Sequence, residues 1–144
     1  MVRAAGSVGL SVVISFTVET DGVLTSGEPL GDAIAHVDRT TDGAPAYHMI
    51  NCSHPAHFVE QLTTGAGWLA RIKAILANAS RCSPAALDEA TELDRDDVAD
   101  LAGWYGRLNA TLPDLRVVGG CCGTDHEHVA AIAESLAGCA RERW

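Results

Sequence analysis

The chain has 144 residues, ten Lys and Arg against nineteen Asp and Glu, a formal net charge of −9, and 47% hydrophobic residues. That length suits one domain, and apolar runs alternating with polar turns exclude disorder or low complexity as a description of the whole. The negative charge argues against nucleic acid or an anionic membrane surface as partner, and the longest apolar stretch, Val8 to Val18, is interrupted by Ser11, Ser15 and Thr17 and too short for a membrane span.

The N-terminus carries one basic residue, Arg3, and then β-branched residues rather than the leucine and alanine of a signal peptide, so a cytoplasmic protein is expected. Residues 8–18 are dense in Val, Ile, Phe and Thr and break at Asp21-Gly22, which predicts a first buried strand. From Glu28, Leu30, Ile34 and Val37 recur at helical spacing up to Asp42-Gly43-Ala44-Pro45, predicting a helix.

Ala46 to Asn51 reads as a second strand, and His54-Pro55 opens a second helical stretch with Phe58, Val59 and Leu62, ended by Gly65 and Gly67. Ile72 to Ala77 reads as a third strand, followed by a loop from Ser83 and Pro84 through Asp97. Val98, Leu101, Tyr105, Leu108 and Leu112 define an amphipathic helix that Pro113 terminates.

Leu115 to Val118 is the fourth predicted strand and runs into Gly119-Gly120-Cys121-Cys122-Gly123. Thr124 and Glu127 have capping-box spacing for a last helix with Val129, Ile132, Ala133 and Leu136 on one face. Four strand-helix units imply an α/β fold with a parallel sheet, either a small doubly wound sheet or part of a (β/α)₈ TIM barrel. A complete barrel needs about 250 residues, so four units would be roughly half of one.

Five cysteines, two of them adjacent, make a poor disulfide framework but a reasonable set of metal ligands or reactive thiols. Cys52 follows the second predicted strand and Cys121 and Cys122 follow the fourth, at the carboxyl ends where parallel α/β folds carry their chemistry. Three thiolates could hold zinc and leave its fourth position open. Gly119, Gly120 and Gly123 offer the positive φ angles that adjacent ligands would need. Two alternatives stand beside this: three small buried hydrophobes, and redox chemistry at the Cys121-Cys122 pair.

Asn51-Cys52 followed by Ser53-His54-Pro55, together with Gly119-Gly120-Cys121-Cys122-Gly123-Thr124, resembles the homocysteine S-methyltransferase family. Supporting matches are Ile14-Ser15-Phe16-Thr17-Val18 running into Asp21-Gly22, Ser26-Gly27-Glu28, and Ala77-Asn78-Ala79-Ser80, so the likeness extends from about Gly9 to Leu136. The resemblance implies a partial TIM barrel, residues 1–144 supplying about four C-terminal strand-helix units, with Cys52, Cys121 and Cys122 as zinc ligands.

It also implies transfer of a methyl group to homocysteine, giving methionine. The substrate sulfur would bind the metal as a thiolate and attack the methyl carbon of a donor such as S-methylmethionine, S-adenosylmethionine or betaine, a sulfonium being the expected choice. Asn51, Glu19, Thr17 and Asn78 are the candidate substrate contacts, each with a bland alternative as a turn amide or solvated loop group. The family's first four units have no counterpart here, so the chain is expected to be either a truncated fragment or one that self-associates or pairs with a separate N-terminal half, with a noncatalytic zinc-binding module as the rival. His54 and His57 are expected to cap a helix or face solvent, His126 and His128 to face solvent, and none to ligate. Trp68, Trp104 and Trp144 are read as packing groups or terminus, Cys139 as packing or tail, and Cys82 as a loop thiol without a role.

Overall fold

The computed structural model describes residues 1–64, 66–112 and 114–141, the side chains of 63, 64 and 138–141 excepted. Four strands, β1 (Val13–Phe16), β2 (Tyr47–Asn51), β3 (Ile72–Ala77) and β4 (Val117–Gly120), form one sheet in the order β1-β2-β3-β4 with every pair parallel. The helices in chain order are α1 (Val2–Ser7), α2 (Leu30–Thr41), α3 (Pro55–Phe58), α4 (Pro84–Glu89), α5 (Val98–Thr111) and α6 (His126–Arg141). Sequential order has no point at which strand order reverses, the hallmark of a doubly wound sheet. Of the two predicted architectures, the described residues are compatible with the partial barrel.

α2 follows its predicted stripe: Leu30 and Ile34 are buried and Val37 packs against them. It stops at Asp42, whose left-handed φ of 55° closes the last turn while Gly43 N–H bonds to Asp38 O at 2.8 Å. α5 starts where Asp97 accepts from the N–H groups of Ala99 at 2.7 Å and Asp100 at 2.9 Å. It buries Leu101, Tyr105 and Leu108, and Leu112 just beyond it is buried too; Pro113 lies outside the described residues.

Several expectations are corrected. The first strand shrinks from residues 8–18 to Val13–Phe16, because β2 offers partners only from Tyr47, and Val8 and Leu10 are exposed. α1, which the sequence did not suggest, precedes it. The predicted helix around Phe58 becomes one turn of α3 followed by a 3₁₀ segment, Val59–Thr64, where β-branched residues disfavour the α form. Gly67 begins a second 3₁₀ segment, Gly67–Arg71, and Gly65 lies outside the described residues.

The predicted loop from Ser83 contains α4, begun by Ser83 accepting from Ala86 N–H at 3.2 Å with Pro84 in the first turn. β4 lies two residues later than predicted, so Gly119 and Gly120 are strand residues. On α6, Ile132 is buried and Leu136 packs partly, but Val129 is 51% exposed and Ala133 is exposed.

Strand alternation separates two faces. Phe16, Ile50, Ile75 and Ala77 join α2, α3, α5 and α6 residues in one core, and each large side chain so buried contributes about 1.5–3 kcal/mol. Val13, Ser15, Tyr47, Met49, Asn51, Leu76 and Val117 point the other way and are half-buried or exposed, with the small side chain of Ala74 buried among them. Parallel sheets are normally covered on both faces; among the described residues, this one is covered on one.

Candidate metal centre

The carboxyl ends of the four strands are stitched together by side chains in the turns that follow them. Buried Ser53, after β2, accepts from Val18 N–H and donates to Val18 O, both at 2.9 Å. Asn78, after β3, donates its backbone N–H to Ser53 O at 3.3 Å and accepts from Cys122 N–H at 3.2 Å through Oδ1. Ala79 N–H reaches Cys122 O at 3.0 Å, and Cys121 N–H reaches Ala77 O at 2.8 Å.

These bonds bring the expected cysteines together. The sulfurs of Cys52, Cys121 and Cys122 all lie within 4.8 Å of one another, Cys121 and Cys122 being 4.0 Å apart. Tetrahedral zinc, with Zn–S bonds of about 2.3 Å, needs sulfurs roughly 3.8 Å apart, so closure to that geometry takes side-chain adjustments of about 1 Å or less. Burial and the neighbouring sulfurs push the Cys52 thiol up to about 12, and burial with Cys121 raises Cys122 as well. Like charges this close oppose ionisation of Cys52 and Cys122, and a bound cation would remove that obstacle. The donor set therefore fits a metal ion.

Local backbone serves the same arrangement, with corrections to the expected glycine roles. Among the run 119–123 only Gly123 has a positive φ, 77°, and it is also crowded: a Cβ there would lie 2.2 Å from Asp94 O. Gly120 is needed for closeness rather than φ, since a Cβ would fall 2.0 Å from Thr124 Oγ1. The unusual φ among the three cysteines belongs to Cys52, at 51°, held by its N–H to Leu76 O at 3.1 Å.

Thr124 does not cap α6; its hydroxyl donates to Cys121 O at 2.7 Å. Asp125 caps instead, accepting from Glu127 N–H at 3.0 Å and His128 N–H at 3.4 Å, because Glu127 is turned to Arg95 at 2.6 Å.

Asn51 stands beside the cluster with Nδ2 3.3 Å from Cys52 Sγ and Oδ1 accepting from Ser15 and, at 3.5 Å, from Thr17. Glu19, half-buried in the turn after β1, accepts from Thr25 Oγ1 at 2.9 Å. The histidines take no part. His54 is buried, caps α3 by accepting from Ala56 N–H at 3.1 Å, and burial pushes its imidazole down to about 4. His57 bonds Arg81 O at 2.9 Å.

His126 is exposed as expected, but His128 is fully buried between Asp125 and Arg95 O. Its expected exposure fails because the turn before α6 is folded over by Arg95, which pairs with Asp125. Cys82 is exposed and outside the cluster, near Asp94. Trp68 packs against the core and Trp104 holds the Arg107 guanidinium 4.6 Å from its ring centre. The Cys139 side chain and Trp144 lie outside the described residues.

Sequence reasoning passed over Ser15, Ser53 and Tyr105. Buried Tyr105 accepts from Ala77 N–H at 3.0 Å and approaches Gly119 O at 2.5 Å, bridging β3 and β4 just before the cysteine pair. Its place on the predicted apolar stripe of α5 concealed the hydroxyl's role.

Comparison with known proteins shows the family. A family model described as homocysteine S-methyltransferase matches residues 1–136. The chain is 28% identical over 131 residues to "Methionine synthase" of Mycobacterium leprae (strain TN), covering 90% of this chain and 10% of that protein. It thus spans about a tenth of the length of the curated relative it matches. No solved structure gives a significant match. The chain belongs to the homocysteine S-methyltransferase family.

Proposed function

We propose, from the premise of that membership, that the chain carries the zinc-binding part of an enzyme that methylates the thiol of homocysteine to give methionine, with a sulfonium compound as donor. The observation that carries this reading is the convergence of Cys52, Cys121 and Cys122 sulfurs within 4.8 Å at the carboxyl end of a parallel sheet. Zinc on three thiolates supplies an open fourth position and lowers the pKa of a thiol bound there. Cys52, Cys121 and Cys122 would hold the ion, Asn78 and Ser53 keep the turns carrying them in register, and Asn51 faces the sulfur of Cys52.

Thr17, Glu19, Asn51 and Asn78 surround the same end of the sheet and are the proposed substrate contacts. The uncovered face and the two sheet edges, β1 and β4, unpaired among the described residues, support the proposal that the sheet is part of a (β/α)₈ barrel. The cover would come from further strand-helix units, from a separate half, or from a second copy of the chain. No helix among the described residues is long and apolar enough to cross a membrane, and free thiols suit a reducing cytoplasm.

The test is zinc content of the purified chain, followed by zinc-edge X-ray absorption with and without homocysteine. Three sulfur neighbours rising to four support substrate binding at the metal. Three that never change favour the second reading, a noncatalytic zinc module, to which the uncovered sheet face lends weight. Absence of zinc after reconstitution rejects both.

A further inference from the structure

Ser15 sits in β1 and Asn51 at the end of β2, on the uncovered face of the sheet. Ser15 is in register with Met49, two residues before Asn51, so the two side chains are diagonal neighbours across adjacent strands. Ser15 Oγ donates to Asn51 Oδ1, and Asn51 Nδ2 in turn donates to Cys52 Sγ at 3.3 Å. Thr17 adds a longer bond to the same Oδ1 at 3.5 Å.

An amide side chain presents either its oxygen or its NH₂ group to a neighbour, and its hydrogen-bond partners decide which. A cysteine holding a cation is a thiolate with no proton to give, so only the NH₂ end can face it. The Asn51 oxygen must then turn toward Ser15, whose rotatable hydroxyl is obliged to donate. Ser15 is exposed and joins no core residue.

We infer that Ser15 is a positioning residue of the metal centre: its hydroxyl locks the Asn51 amide so that Nδ2 stays on the sulfur of Cys52. The inference rests on reading the cysteine cluster as a metal site. The lock matters at Cys52 because this ligand occupies a left-handed backbone conformation, φ 51°, which an L side chain adopts only under restraint from its surroundings. The backbone bond to Leu76 restrains the main chain, and the Asn51 amide restrains the sulfur. Loss of a hydrogen-bond partner behind a ligand typically weakens metal affinity by about 10–100-fold.

The experiment compares S15A and S15T with the parent chain, each stripped of metal and titrated with zinc against a chromophoric chelator. A parallel titration with cobalt(II) reads the sulfur-to-cobalt charge-transfer bands. S15A is expected to bind zinc about tenfold more weakly and to shift those bands, S15T to restore both, and the metal-free Tm to stay the same in all three. Parent-like affinity and bands in S15A overturn the inference. Equal losses in S15A and S15T accompanied by a lowered metal-free Tm also overturn it, because they mark a structural role. Failure of the parent chain to bind zinc or cobalt overturns the metal reading itself, so the two failures are distinguishable.

Discussion

At the amino end of the sheet, Asp38 of α2 accepts from Arg71 Nε at 2.9 Å and Nη2 at 3.1 Å and lies 2.8 Å from Nε2 of buried His48, while Arg71 also reaches Pro45 O at 2.7 Å. At the carboxyl end, three thiols gather, those of Cys52 and Cys122 pushed up by burial and their neighbours, and Cys52 sits on a left-handed backbone. Opposite charges on Asp38 and Arg71 pair at the first end within the fold, where Nδ1 of buried His48 has no partner among the described residues. The sulfurs at the second are brought together by bonds between backbone and Ser53, Asn78 and Thr124, with only the Asn51 amide and one another as partners among the described residues, a set that could hold a cation. Polar groups that complete one another stabilise a fold; groups held together without completing one another mark the place where it works.

Mutations should separate the two ends. The largest effect is expected from replacing Cys52, Cys121 or Cys122 by Ala: zinc affinity should fall by more than about 100-fold, beyond the loss typical of partners behind a ligand. C82A should keep parental affinity. Titration of each variant against a chelator checks this, and equal behaviour of all four would break the comparison. G123A should come next. It places a side chain at φ 77° and 2.2 Å from Asp94 O, costing about 2 kcal/mol or more, with weakened zinc binding in the same titration.

D38A should cost about 1–3 kcal/mol in urea unfolding by taking the carboxylate away from buried His48 and leaving Arg71 with Pro45 O alone of the acceptors named above, yet leave zinc binding unchanged. Burial alone would raise the Asp38 carboxyl, but the Arg71 and His48 hydrogen bonds hold it below 3.8. Its contribution is therefore complete above the unfolded value and disappears as pH falls through the folded one. D38A should flatten this acid limb.

The smallest effect is expected from Y105F, which leaves Ala77 N–H without its acceptor at a cost of about 1–2 kcal/mol. Burial pushes the Tyr105 phenol from 10 up to about 12. The unfolded chain releases that proton first, so stability is complete below pH 10 and declines by up to about 1.4 kcal/mol per pH unit as pH rises toward the folded value. Unfolding midpoints measured at pH 9, 10 and 11 should show this decline in the parent and a reduced one in Y105F.

Much of the fold was legible because the elements concerned carry strong periodic signals. Ile72–Ala77 was bounded correctly as an unbroken apolar run, and the stripes of α2 and α5 matched burial. Errors fell where local chemistry was ambiguous. Ser83-Pro84 is both a loop signature and a helix start, and the acidic residues that follow favour the loop reading. Gly119-Gly120 looked like a turn but pairs with Leu76 and Ala77 as strand, since a bare backbone can lie close to Thr124. His128 looked like a solvent-facing histidine because Arg95, the residue that covers it, lies far away along the chain.

The sequence by itself determined the α/β alternation and the placing of two cysteine motifs at strand ends, because hydrophobic period and glycine-flanked cysteines are local properties of the chain. Tertiary structure alone decided that all three sulfurs converge, that the core lies on one face of a sequentially ordered sheet, and that Ser15 stands behind Asn51 and Cys52. Those facts depend on which strands become neighbours and in what register, and a side chain acquires a partner across the sheet only when the backbone bonds between strands have set that register.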